Sequence, residues 1–221
     1  MTSSHELPTD QHGKTLQDYP RPSVAVDTAL LTAHDGGLKV LLVHSPGGGW
    51  ALPGTFLHPG ERLADAVLRS LREKAGVTGR SPQQLHVFDE PGRDARGWVL
   101  SVAHVDVLPA SALLEPLNSE RATVVAVEEI HNCELPYDHA QIIGFAVEQV
   151  RSRYATTPDP AGLLKESFTL KELREVHEAV LGEALQRDTF RRSMERELEA
   201  TGEMSDGTQG RPAALFRVRR G

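Results

Sequence analysis

The sequence predicts an α/β protein in two parts: a sandwich of mixed strands flanked by helices, followed by a small helical unit that closes on a β-hairpin. Three observations carry this. β-branched and apolar runs alternate with two stretches of helical period up to residue 154. "ATTPDPAG", residues 155–162, then breaks the pattern with two prolines, small polar residues and a glycine, the composition of an inter-domain linker. Beyond it, two amphipathic helices precede an extended run. A chain of 221 residues with 39% apolar content can fill two modest cores. Its single cysteine, Cys133, excludes an internal disulfide, and no charged stretch leading into an apolar one opens the chain at Met1. No segment approaches the roughly 18 consecutive apolar residues of a membrane span. The expectation is a protein of the reducing cytosol without a membrane partner.

Residues 1–21 are polar, without hydrophobic period, and are expected to form a flexible arm. The sandwich is assigned to residues 22–154. "SVAVDTALLT" and "LKVLLVH" read as strands joined by a hairpin whose Asp35-Gly36-Gly37 supplies the positive-φ residues. From Glu61 to Ala75 the residues Leu63, Ala64, Val67, Leu68, Leu71 and Ala75 recur at helical spacing, and Gly76 stands where a helix stops. "LHVFDE", "GWVLSVAHVDVL" and "TVVAVEEI" are further strands, with "EPGRDARG" turning between the first two. "DHAQIIGFAVEQVRSRY" is a second helix with Ile142, Ile143, Ala146 and Val150 on one side. Cys133 reads as a small buried hydrophobe. Tyr137, Asp138 and His139 suggest a catalytic cluster, against which Asp138 reads as the cap of the following helix.

The net charge of −7 argues against a nucleic-acid partner, but it is unevenly spread. Residues 163–221 carry 11 basic against 11 acidic side chains, so the imbalance lies before them. In this unit Thr169 and Glu172 have capping-box spacing, Phe168 and Leu173 form a hydrophobic staple, and Gly182 ends the helix. Leu170, Leu173, Val176, Val180 and Leu181 make its buried stripe. "DTFRRSMERELEATG" follows as a second helix, with Asp188 as N-cap and Phe190, Met194 and Leu198 inward. Its other side presents Thr189, Arg191, Arg192 and Arg196, with Arg187 just before. Arginine can bond guanine edges in the major groove. A glycine-rich turn and an extended run with Arg217, Arg219 and Arg220 complete a winged helix-turn-helix, with Arg211 at the wing tip. The alternative is a helical cap with a basic tail.

"LPGTFLHPGERLADAVLRSLREKAGV", residues 52–77, resembles the Nudix box, G-x5-E-x7-R-E-U-x-E-E-x-G-U with U aliphatic. Glu61, Arg69, Leu71, Glu73, Gly76 and Val77 match; Thr55, Ser70 and Lys74 do not. The resemblance implies a hydrolase of nucleoside diphosphates linked to another group, with carboxylates at the positions of Ser70, Glu73 and Lys74 holding magnesium or manganese. Serine offers a neutral hydroxyl, and an ammonium in a dication's place implies repulsion on the order of several kcal/mol at about 4 Å in an effective dielectric near 20. Metal binding is expected to fail or be very weak. Arg69 and Glu73, four apart, are expected to pair along the helix.

Taken over residues 22–221, the chain resembles the Nudix-related transcriptional regulators, through "FTLKEL", "DTFRRSM", "GRPAALFRV" and "YDHAQII". That resemblance implies a Nudix-type α/β/α sandwich that senses ADP-ribose or a related sugar phosphate without catalysis, and a homodimer whose winged helices grip a palindromic operator of NAD-metabolism or sugar-use genes. No cofactor is implied, and Mg²⁺ only for residual hydrolysis. Trp50, Phe56, His58, Glu61, Arg69, Glu73 and Trp98 are the candidate effector contacts, with simple core or surface roles as the alternative for the tryptophans and His58. Thr169, Lys171, Arg187, Thr189, Arg191, Arg192, Arg196 and Arg211 are the candidate DNA contacts. A second reading is an active ADP-ribose pyrophosphatase whose C-terminal appendage mediates assembly; a third is a catalytically dead interaction module.

Overall fold

The computed structural model describes residues 8–115, 117, 121–206 and 212–219. Strands β1 (Ser23–His34) and β2 (Gly37–His44) form the first hairpin, with His34 opposite Gly37. Asp35 and Gly36 take φ of 50° and 72°, the two positive angles of a type I′ turn; Gly37 already belongs to β2. The sheet continues with β3 (Trp50–Ala51), β4 (Gly54–Phe56), β5 (Gln83–Phe88), β6 (Val99–Val107) and β7 (Ala122–Ala126). Its path is β3-β2-β1-β6-β5, with β4 on β1 and β7 on β2. Among the described residues only β1 and β6 of this sheet run parallel.

β1 is buried from Ala25 to Thr32 because it is paired on both edges. One edge is given to β6 from Ser23 to Leu31. The other is shared, with β4 on Ala25–Asp27 and β2 on Leu31–His34, so the sheet splits between them. Helix α1 (Leu63–Ala75) covers one face with Ala66, Val67, Leu71 and Ala75 against Val26, Leu30, Leu41 and Val43. Gly76, at φ 70°, closes α1 with its N–H on the Arg72 carbonyl, and Val77 N–H reaches back to Leu71. A short helix, α2 (Ala110–Leu114), adds Leu113 to that core. Helix α3 (His139–Tyr154) covers the opposite face with Ile142, Ile143, Ala146 and Val150. The alternation of β1 side chains between the two cores is what makes an α/β/α sandwich.

Three expectations change here. "TVVAVEEI" is strand only to Ala126, which pairs Lys39 near the β2 turn; with no partner beyond, Val127–Asn132 winds into a 3-10 helix. Asp138 precedes α3 but makes no side-chain cap, because Arg93 takes its carboxylate. Residues 1–7 lie outside the described residues, and the rest of the expected arm has local structure: Leu16–Asp18 form a 3-10 turn closed by a Thr15–Asp18 capping box.

Residues 155–162 are pinned rather than loose. The Asp159 carboxylate accepts from Leu163 N at 2.9 Å, Leu164 N at 3.0 Å and the Tyr154 hydroxyl at 3.1 Å, and the Pro158 carbonyl accepts from His177. Beyond them β8 (Phe168–Thr169) leads into α4 (Leu170–Leu181), whose Thr169–Glu172 capping box and left-handed Gly182 are as the sequence predicts. The expected single stripe on α4 is divided. Leu173 joins Phe168, Phe190, Met194 and Leu198 in a separate core, whereas Val180 lies in the sandwich core with Ile142 and Val150. One helix therefore welds the two units together.

Helix α5 (Arg187–Met194) is shorter than its pattern suggests. Gln186, not Asp188, is the N-cap, its side chain accepting from Thr189 N at 2.7 Å. Glu195–Glu197 are 3-10 and Leu198 opens β9 (Leu198–Met204), which pairs β10 (Ala214–Val218); β10 also pairs β8. The four-residue repeat of Phe190, Met194 and Leu198 survives a change from helix to strand because all three face the same core. The element order and three-stranded sheet are those of a winged helix-turn-helix.

Candidate functional site

Where β2 and β4 part along β1, a cavity of about 290 Å³ opens, near the lower end for small-molecule sites. Its floor is Asp27, 6% exposed. Ser101 Oγ donates to Asp27 Oδ2 at 2.6 Å, His139 Nε2 lies 3.4 Å from Oδ1, and Arg93 Nη2 lies 3.6 Å from Oδ2. His139 Nδ1 accepts from Leu52 N at 3.1 Å, which leaves the ring's Nε2 proton facing Asp27. Burial alone would raise the Asp27 carboxyl pKa, but the hydrogen bonds from His139 and the Ser101 hydroxyl and the charge of Arg93 outweigh it and hold the pKa below the usual value. Gly54 is required beside it: a Cβ there would lie 1.9 Å from Asp27 Oδ1.

The rim is cationic and aromatic. Arg93 holds Asp138 through Nε at 2.8 Å and Nη2 at 2.5 Å. Arg96 holds Asp94, with Nη2 2.6 Å from Oδ2, and its guanidinium lies 5.4 Å over Phe56 and 5.5 Å over Tyr137. A second, more open cavity of about 900 Å³ shares Arg93 and Tyr137 and is lined by His86, Phe88 and Phe145. Planar guanidinium forks and aromatic faces are the groups that take phosphates and heterocycles.

Of the effector candidates, Phe56 alone lines the first cavity. Glu61 and Arg69 form the brace behind it: Arg69 Nε and Nη2 meet Glu61 at 2.8 and 2.9 Å, Nη1 meets Thr55 Oγ1 at 3.2 Å, and Nη2 meets the Phe56 carbonyl at 3.0 Å. Hydrogen bonds from Arg69, then from His58 N, pull the Glu61 pKa down to about 2. The expected Arg69–Glu73 pair is therefore corrected, since the bidentate fork prefers the loop carboxylate it can meet in plane. Glu73 instead meets Arg72 at 3.5 Å. His58 points its ring outward, 4.0 Å from Glu61. Trp50 packs against the sandwich core and edges onto His44, and Trp98, half exposed, lies outside both cavities. Asp27, Arg93 and Arg96 do not stand out in the sequence, because the fold brings them together with His139 from three separated segments. "YDHAQII" signals His139 alone among the four.

In the box helix, Ser70 and Lys74 stand at two of the positions where the box pattern has carboxylates. Ser70 is 1% exposed, its hydroxyl turned inward without a hydrogen-bond partner, and Lys74 donates to the Gly54 carbonyl. Among the described residues no three His, Cys, Asp or Glu side chains are placed to hold a metal, and hard dications need several oxygen ligands.

On the C-terminal unit, Lys171, Arg187, Asp188 and Arg191 border one concavity of about 500 Å³ with Ala213 and Ala214 of the wing. Arg191, Arg192 and Thr189 are exposed on α5. Arg196 is exposed but sits on the 3-10 turn, off the helix. Thr169, expected at the DNA, is buried instead, its hydroxyl donating to Glu172 at 2.8 Å to cap α4. Arg211 and Arg220 lie outside the described residues. No helix among the described residues is long and apolar enough to cross a membrane.

Comparison with known proteins agrees with this geometry. The family model described as the NUDIX domain matches residues 21–148, and that of the NrtR DNA-binding winged helix domain matches 160–218. The chain is 30% identical to the ADPR responsive transcriptional repressor NtrR of Acinetobacter baylyi over 90% of this chain and 83% of that one. It is 30% identical to an ADP-ribose pyrophosphatase of Methanocaldococcus jannaschii over 59% of this chain and 76% of that one. The crystal structure of Shewanella oneidensis NrtR with a 27mer DNA superposes with a TM-score of 0.75 at 35% identity, covering 89% of this chain and 93% of that one. The NUDIX domain of the same protein with ADP ribose superposes at 0.53 and 31% identity, covering 62% of this chain and 94% of that one.

Proposed function

We propose, from the premise that this chain belongs to the Nudix-domain family and within it to the ADP-ribose-responsive repressors of the NrtR type, that it is a DNA-binding transcriptional repressor relieved by ADP-ribose. It acts in the cytoplasm as a homodimer on a palindromic operator, one half-site per winged helix. ADP-ribose enters the cavity at the sheet split, its diphosphate among the cationic side chains and a ring against Phe56 or Tyr137, and is held without being cleaved.

One observation carries the reading. Helix α3 begins at His139, on the cavity floor, and ends at Tyr154 and Arg151, which grip α4. Arg151 Nε donates to the Val180 carbonyl at 3.0 Å, and the His177 ring of α4 makes T-shaped contacts with Tyr154 of α3 and Phe190 of α5. A ligand that moves the first turn of α3 thereby biases the helix that carries Arg191 and Arg192. Release of DNA then follows if ADP-ribose prefers the arrangement that DNA does not.

The experiment is a mobility shift on DNA recovered with the protein from its native cells, with and without ADP-ribose. Binding is expected without the nucleotide and release with it, and Arg191→Ala or Arg192→Ala is expected to cost about 1 to 3 kcal/mol if the residue reads a base. Undiminished binding by both variants would take α5 out of the interface. Conversion of ADP-ribose to AMP at rates of roughly 1 per second or more would favour the pyrophosphatase reading instead.

A further inference from the structure

We propose that Lys74 is a tethered counter-cation for the ligand's diphosphate, standing at a Nudix-box position that otherwise carries a metal-binding carboxylate, so that occupancy of the cavity needs no divalent ion. The inference rests on the reading of that cavity as an ADP-ribose site.

The cavity has three fixed cations, and two are already committed. Arg93 is bound to Asp138 and Asp27, and Arg96 to Asp94. Lys74 lines the same space, yet its ammonium is held by the Gly54 carbonyl, and among the described residues no carboxylate closes an ion pair with it. An ammonium has three donors. One is spent on Gly54, leaving two to face phosphate oxygens. The anchoring carbonyl is itself fixed, because Gly54 packs so tightly on Asp27 that no side chain fits there. Partial removal from water pulls the Lys74 pKa below the ordinary lysine value, opposed by the negative charges of Asp27 and Glu73.

A tethered ammonium supplies charge where a metal would, but it cannot lower the pKa of a bound water or bridge two phosphate oxygens in a fixed coordination shell. The substitution therefore separates holding the diphosphate from breaking it. It also frees the response from the concentration of divalent ions, which a metal-dependent site would have to track.

The test is calorimetric titration of the full chain with ADP-ribose, in EDTA and in magnesium. The wild-type Kd is expected to agree within twofold between the two. Lys74→Met is expected to weaken binding at least about tenfold in both, the loss of one charge-assisted hydrogen bond, while Lys74→Arg, which keeps the charge, retains more affinity than Lys74→Met. Unligated melting temperatures check that the variants fold. Wild-type binding that weakens tenfold in EDTA overturns the assignment and leaves the ligand standing. So does a Lys74→Met chain that binds like wild type, or an arginine variant no better than the methionine one. No binding by the wild type under either condition overturns the ADP-ribose reading, and the role of Lys74 with it.

Discussion

Asp27 shows what one buried charge can organise. It gathers Ser101 from β6, His139 from α3 and Arg93 from the β5–β6 connection around a carboxylate that is almost fully enclosed. A buried carboxylate is tolerated only where such partners offset its desolvation, and removing it strands the others. Asp27→Ala is therefore expected to cost about 3 to 5 kcal/mol in urea denaturation and to weaken ADP-ribose binding. A loss under about 1 kcal/mol would mean that the cluster is not what holds the floor together. Glu61 and Arg69 act at the same scale but on the loop: they set the position of Phe56 without entering the cavity.

At the scale of elements, α3 and α4 matter most. His177 of α4 is fully buried, its Nε2 donating to the Pro158 carbonyl and its Nδ1 without a partner, with the rings of Tyr154 and Phe190 on either side. Burial holds its pKa below that of a free imidazole, against the weaker opposing pull of the Pro158 carbonyl and the Asp159 charge. The folded state thus binds fewer protons here than the unfolded chain, so stability is complete above the unfolded pKa of about 6.5 and declines as pH falls below it. The urea midpoint is expected to drop between pH 7.5 and 5.5, and to drop less in His177→Gln, which keeps a donor for Pro158. Equal drops in both proteins would place the pH sensitivity elsewhere. Since His177 packs on Phe190, the loss is expected to reach α5 first.

For the whole molecule, the issue is whether two cores behave as one. Val180 lies in the sandwich core and Leu173 of the same helix in the winged-helix core. Arg151 fastens the join: it reaches Val180 O at 3.0 Å and Glu128 Oε1 at 2.9 Å. In Arg151→Ala the cavity is untouched, so ADP-ribose affinity is expected to stay within twofold of wild type. The ADP-ribose concentration that releases DNA is expected to rise. Release at the wild-type concentration would show that the message does not pass through this clamp. Arg151, α3 and α4 form a contiguous path of contacts between the cavity and the winged-helix core, and the Arg151→Ala titration tests whether that path carries the coupling.

The sequence by itself determined the elements that local chemistry dictates: the Asp35-Gly36 hairpin, the α1 helix with its Gly76 stop, and the Thr169–Glu172 cap. It also exposed the altered box, because charge at Ser70 and Lys74 is readable without coordinates. Where periodicity was the only guide it overran, carrying α5 through Leu198 when the chain had already turned into a strand. Only the tertiary structure decided that Arg69 pairs with Glu61 rather than Glu73, that Asp27, Arg93 and His139 meet, and that the proline-rich segment is packed between two cores. Those contacts join residues far apart in the chain, and no local preference specifies which carboxylate a guanidinium will meet until the sheet and helices have fixed the distances.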